Sequence, residues 1–227
     1  MATLAARQSR SRPDAMHGNA MIWGAASLGL LLLLWFAVTS GSALIAPRLL
    51  PSPATLAERF ATLAVTPFGG NNLLGHAAAS VERWALGVLA AIAVGLPLGV
   101  MFAWLPPFRA ALMPVFELLR YIPPFAWVPI AILWFGASTL TQALVVFIAA
   151  FPACVINTQL GVSQVDKVLV QAARTLGAGS WMTLRHVVLP VAARDAFTGI
   201  RIAVSNGWMA LVGAELVERV AEERVVH

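Results

Sequence analysis

"YIPPFAWVPIAILWFGASTLTQALVVFIAAFPACVINTQLGVSQV", from Tyr121 to Val165, contains no Asp, Glu, Lys or Arg. A bilayer core about 30 Å thick is crossed by about 20 helical residues. This run is therefore long enough for two spans, and the tight-turn sequence Gly136-Ala137-Ser138 divides it. Ala15–Pro47 and Trp84–Phe108 are equally free of these charges and hold one span each. Soluble domains carry roughly a quarter of their residues as charged side chains. Here 11% are charged and 59% hydrophobic, so the chain reads as an all-α membrane protein, a polytopic bundle of transmembrane helices.

Outward from that run, five spans are legible, at about 20–40, 84–105, 112–135, 139–160 and 196–216. Residues 1–19, with Arg7, Arg10 and Arg12, form a polar tail expected to be disordered. The apolar run Ala20–Val38 exceeds the 7–15 residues of a signal-peptide core, so a retained first span is expected. "LPSPATLAERFATL" (Leu50–Leu63) places Leu56, Phe60 and Leu63 at helical spacing and suits a short amphipathic helix on the membrane surface. In the second span Gly95 and Gly99 form a small-xxx-small pair that would let another helix approach closely; glycine is also simply common in membrane helices. The third span carries Pro123, Pro124 and Pro129, each lacking a backbone donor. An interruption there, facing a pathway or a partner subunit, follows, since a broken helix at membrane depth needs other groups to satisfy its backbone. Glu117 and Arg120 either pair across one helical turn or mark the cytoplasmic end of that span. Arg201 lies inside the fifth span, and Glu218–His227 is a charged tail that cannot cross a membrane.

Cytoplasmic flanks are enriched in Lys and Arg. With the N-terminus in the cytoplasm, that side holds Arg7, Arg10, Arg12, Arg109, Lys167, Arg174, Arg185 and Arg194, with Arg120 near it. The other side holds Arg48, Arg59, Arg83, Arg219 and Arg224. This orientation accounts for the net charge of +5 without nucleic acid, because the cations are dispersed between spans and not gathered into a basic, aromatic surface. Cys154 is the sole cysteine and sits in an apolar run, which gives neither a disulfide framework nor metal-ligand spacing. An intramembrane enzyme would need polar groups converging at depth. His17, His76, His186 and His227 fall in expected loops or tails, and no H-E-x-x-H motif exists. No catalytic residue, metal site or cofactor is expected.

The cytoplasmic loop 163–193 lies between the fourth and fifth spans. Val165, Val168, Leu169, Ala172 and Leu176 share one side of a helix, with Lys167, Gln171 and Arg174 opposite. Gly177 permits a chain reversal, an apolar pattern resumes at Ser180–Leu189, and Pro190 precedes the next span. The segment resembles the "EAA" loop of ABC-importer permeases: Glu-Ala-Ala, three residues, Gly, nine residues, then Ile-x-Leu-Pro. Here it reads Gln171-Ala172-Ala173, three residues to Gly177, nine more, and Val187-Val188-Leu189-Pro190. "LPSP" (Leu50–Pro53), "IPPFAWVPIAILWFG" (Ile122–Gly136) and "GWMALVGAEL" (Gly207–Leu216) are similar to permeases of the sulfonate, taurine and nitrate group.

That resemblance implies a permease domain over about 20–217 and a loop that docks into a cytoplasmic ATPase through Gln171, Ala172, Ala173, Arg174, Gly177, Leu189 and Pro190. The partners it implies are two ATP-binding subunits, a second permease subunit forming a homodimer, and an extracytoplasmic solute-binding protein, all at the cell inner membrane. The permease binds no nucleotide itself, in keeping with the lack of a Gly-rich Walker-type loop. The solute is expected to be a small anion such as an aliphatic sulfonate or taurine. Arg201, Asn206 and Glu215 are candidates for its pathway; Asn157 and Gln159 are better suited to helix packing. Two departures from the pattern stand out. Gln171 replaces the usual Glu, which predicts weaker or altered docking. The family is expected to have six spans, whereas Val217–His227 is charged here, so a truncated or frameshifted permease without transport activity is the alternative.

Overall fold

The computed structural model describes residues 14–40, 50–66 and 72–225, with backbone alone at 14–21, 40 and 218–225. Most of the expected tail at 1–19 and the flanking Arg48 lie outside the described residues. Met1–Leu74 and Gly75–His227 form two separate compact units.

In the first unit, α1 spans Asp14–Ser40 and α2 spans Pro53–Val65. α1 starts within the stretch expected to be disordered, and its Ile22–Thr39 portion is long and apolar enough to cross a membrane. α2 is the amphipathic helix expected from Leu56, Phe60 and Leu63. Ser52 caps it by accepting the backbone N–H of Thr55 at 3.2 Å, and Pro53 occupies the first turn, where a missing donor costs nothing.

The second unit is built on three long helices, α3 (Leu73–Trp104), α6 (Thr139–Ser163) and α9 (Leu189–Val225). The three pack against one another around a shared core. The reason is the distribution of glycine. A methyl group at Gly87 of α3 would stand 2.5 Å from the Ala143 carbonyl oxygen, at Gly95 2.7 Å from Cys154 Cβ, and at Gly99 2.6 Å from the Val155 carbonyl oxygen. On α9, a methyl at Gly199 would meet the Ala153 carbonyl at 2.9 Å, and one at Gly207 would meet Val88 at the same distance. Close backbone approach of this kind is how helices associate where lipid tails compete equally for apolar surface. The Gly95–Gly99 pair is thus a packing face. Val88, Ala91, Val146, Ala150, Cys154, Ala203 and Leu211 fill the core between the glycines.

The interruption of the third span is present. α4 (Pro106–Arg120) and α5 (Val128–Phe135) meet at 92°, joined by a 3-10 turn at Pro124–Trp127. Pro123 and Pro124 remove two successive donors, and Pro123 is extended at φ −55°, ψ 136° because the residue before a proline is excluded from the helical region. Pro129 breaks nothing, since it falls in the first turn of α5. At the Gly136–Ser138 turn, Gly136 has φ +69° and Ser138 caps α6.

Among the described residues, three helices (within α1, α3 and α6) are long and apolar enough to span, and the bent α4–α5 pair passes the same test only when its two parts are taken together, as a broken span or a re-entrant loop. The fifth expected span lies within α9, a helix that is not among the spans found on length and apolarity. Arg201 and Asn206 lie within it and lower its apolarity. α9 also continues through the charged segment from Glu218 as far as Val225. His76 and His186, expected in loops, are in α3 and in a helical segment preceding α9.

Candidate functional site

The loop between α6 and α9 folds into two short helical pieces. α7 runs from Lys167 to Thr175, with the Asp166 carboxylate accepting the backbone N–H of Val168 at 2.8 Å. α7 ends through a pair of backbone bonds, Gly177 N–H to the Arg174 carbonyl at 2.9 Å and Ala178 N–H to the Ala173 carbonyl at 3.0 Å. That pairing requires a left-handed residue at position 177. Gly177 supplies it, with φ +86°, and no atom lies within 4 Å of where its Cβ would be. Backbone conformation, not space, demands glycine here.

The apolar side of α7 is not uniformly inward. Val165, just before the helix, is buried with Val162, Leu184, Val188 and Ala192, and Val170 packs against that cluster. Val168 is 65% exposed, Leu169 46% and Leu176 88%, and Gln171, Ala172 and Arg174 are exposed beside them. Ala173 is half-buried. The helix therefore presents an open surface that mixes apolar, small and hydrogen-bonding side chains.

After Gly177 the chain turns into α8 (Ser180–Thr183), passes through a π-helical stretch at Leu184–Val188, and enters α9 without a break. The π stretch closes with the Leu189 N–H on the Leu184 carbonyl. Pro190, which cannot donate, follows Leu189 just after this π-helical stretch. Leu189 borders an apolar cavity with Trp104, Trp181 and Leu184. The helical path is continuous from Ser180 into α9, whereas Leu176–Gly179 separate it from α7.

A second cavity, of about 350 Å³, opens where the α4–α5 break meets α6 and α9. Phe116, Trp127, Phe147 and Phe151 form much of its wall, and Arg120 and Asn206 are its polar side chains. Of the three pathway candidates, only Asn206 lines it. Arg201 is exposed and does not. Glu215 is tied into a network between helices. It accepts Ser80 Oγ at 2.7 Å and lies 3.5 Å from Arg83 Nη1, which also donates to Gln142 Oε1 at 2.9 Å. Asn157 donates to the Ala153 carbonyl of its own helix at 2.8 Å, and Gln159 is buried.

Arg120 was not read from sequence as a cavity residue. It pairs with Glu117 at 2.6 Å, as the spacing allowed, yet it also faces this space. Its position two residues before Ile122-Pro123-Pro124 was the available signal, because a break in a span leaves room beside it.

The sequence of residues 95–218 matches the family described as binding-protein-dependent transport system inner membrane component. The taurine transport system permease protein TauC of Escherichia coli K12 is 36% identical across 84% of this chain and 70% of its own length. The nitrate import permease protein NrtB of Synechocystis sp. is 32% identical across 95% of this chain and 79% of its own. The bicarbonate transport system permease protein CmpB of Synechococcus elongatus is 36% identical across 82% and 68%, respectively. Such permeases work with ATP-binding subunits, where ATP is hydrolysed, and with a solute-binding protein. The match over the spans and loop, together with these relatives, places the chain in the binding-protein-dependent ABC-importer permeases of the sulfonate, taurine and nitrate group, as a multi-pass inner-membrane transport subunit.

Proposed function

We propose that this permease imports a small anionic solute, an aliphatic sulfonate or taurine, by converting closure of two ATPase subunits into alternating access. The observation that carries this reading is the exposed apolar surface of α7 beside the Gly177 bend, after which helix runs unbroken from Ser180 into α9, which lines the cavity. Gln171, Ala172, Ala173 and Arg174 form the surface that the ATPase grips, Gly177 sets the angle, and Leu189 and Pro190 pass the motion to α9. A second copy of the permease completes the pathway, and an extracytoplasmic binding protein delivers the solute. The N-terminal tail, residues 1–19, is cytoplasmic, the permease domain covers 20–217 with its coupling loop at 163–193, and 218–227 is a charged tail.

Relatives named for taurine, nitrate and bicarbonate support an anionic cargo, since taurine bears a sulfonate and the other two are anions. The test is co-purification with the ATPase and binding protein, followed by ATPase assays with sulfonates, taurine and nitrate. Stimulation by taurine or an alkanesulfonate is expected. Stimulation by neutral solutes, with none by these anions, would contradict the proposal.

A further inference from the structure

The cavity at the α4–α5 break has a chemistry that the loop does not explain. Its wall is mainly aromatic and aliphatic, a single cation (Arg120) borders it, and no carboxylate does. A charged side chain at such a place is costly unless it is compensated. Arg120 is compensated on one side only. Its Nε donates to Glu117 Oε2 at 2.6 Å, Nη2 stands 2.6 Å from the same oxygen, and Nη2 also donates to the Tyr121 hydroxyl at 3.0 Å. The guanidinium carbon sits 4.5 Å from the Tyr121 ring centroid, so the cation lies over the ring face as well as being hydrogen-bonded. Nη1 takes part in none of these contacts. The guanidinium is thus already ordered, and part of its donor capacity is uncommitted.

Asn206, from α9, supplies the second polar group of the lining. Its amide both donates and accepts, so it can serve an oxyanion or the ammonium of a zwitterion. Phe116, Trp127, Phe147 and Phe151 offer apolar surface to whatever carries that charge. A bare, strongly hydrated inorganic ion gains nothing from such walls, whereas an organic body does.

We infer that Arg120, oriented by Glu117 and Tyr121, and Asn206 bind the oxyanion group of a small organic anion in transit, with the aromatic wall receiving its body. This deepens the import reading and rests on it. Glu117 has a second consequence. By sharing Arg120 it keeps the cation from holding an anion too tightly, and a transport site must release as well as bind. The position of Asn206 on α9 links release to the loop, because motion of α9 separates the two polar groups.

The experiment uses the full permease with its ATPase and binding protein in proteoliposomes, and follows uptake of radiolabelled taurine, nitrate and bicarbonate. Arg120→Gln should lower taurine uptake by about tenfold or more, the loss expected for one charge-assisted hydrogen-bond partner, while the ATPase still co-purifies in the wild-type ratio. Arg120→Lys keeps the charge without the fork and should fall between the two. Glu117→Gln leaves the cation uncompensated and should lower both the half-saturating taurine concentration and the maximal rate. Taurine uptake by Arg120→Gln within twofold of wild type would overturn the site. Wild-type transport of nitrate without taurine would overturn the organic class. A wild-type transporter that carries none of the three would overturn the anion-import reading beneath it.

Discussion

In the proposed coupling, the contribution of Gly177 is conformational. With φ +86° and open space around its Cβ position, an alanine there would meet no neighbour but would have to adopt the left-handed region. That costs about 1–2 kcal/mol. Gly177→Ala should therefore leave the assembled protein's thermal stability little changed if the turn simply reopens, yet reduce uptake per ATP hydrolysed; Gly177→Asn, which tolerates left-handed backbone better, should recover part of the loss. Equal coupling ratios for all three proteins would show that the bend angle does not matter. Gln171 is the complementary case, an exposed position where the pattern predicts a carboxylate. Gln171→Glu should strengthen retention of the ATPase through gel filtration, by about threefold to tenfold in affinity for one gained charge-assisted contact. Unchanged or weaker retention would mean the partner groove does not receive a charge at this point.

At the scale of elements, the packing of α6 depends on backbone proximity, which the glycines of α3 and α9 permit. Gly99→Ala would put a methyl 2.6 Å from a backbone oxygen that cannot rotate away. Overpacking of this kind costs about 1–3 kcal/mol, so the variant should unfold in detergent at a lower temperature than the wild type. Gly24→Ala, with no atom within 4 Å, serves as the control and should not. Much of this level was legible in the sequence. Charge-free runs marked the first four expected spans, Gly95 and Gly99 offered a packing face as one of two readings, and two prolines marked the break. Two things were harder to read. Amphipathicity in α7 indicated which side chains share a face but not which face is covered, so Val168 and Leu176 turn out exposed where burial is the usual inference. Long-range polar pairs such as Arg83 with Glu215 join residues far apart in the chain, and local spacing carries no trace of them.

At the largest scale, the unit Gly75–His227 is, in the proposed mechanism, a lever and a cavity. The loop ends at one extremity of α9, Asn206 lies further along the same helix at the α4–α5 break, and the Ser80–Arg83–Glu215 network ties α9 to α3 beyond it. The family and the α-helical membrane architecture could be argued from sequence because both rest on periodicity and fixed spacing. The cavity could not, since it is created by three elements meeting. If the lever account is right, hydrolysis and transport are separable at the loop. The most direct measurement is ATP-driven taurine uptake alongside ATPase activity in proteoliposomes holding the full transporter with residues Ala172–Gly177 deleted from the permease. The account predicts that the deleted protein still inserts in the membrane, that uptake is lost, and that any remaining hydrolysis no longer responds to the solute-loaded binding protein. Uptake surviving the deletion would contradict it.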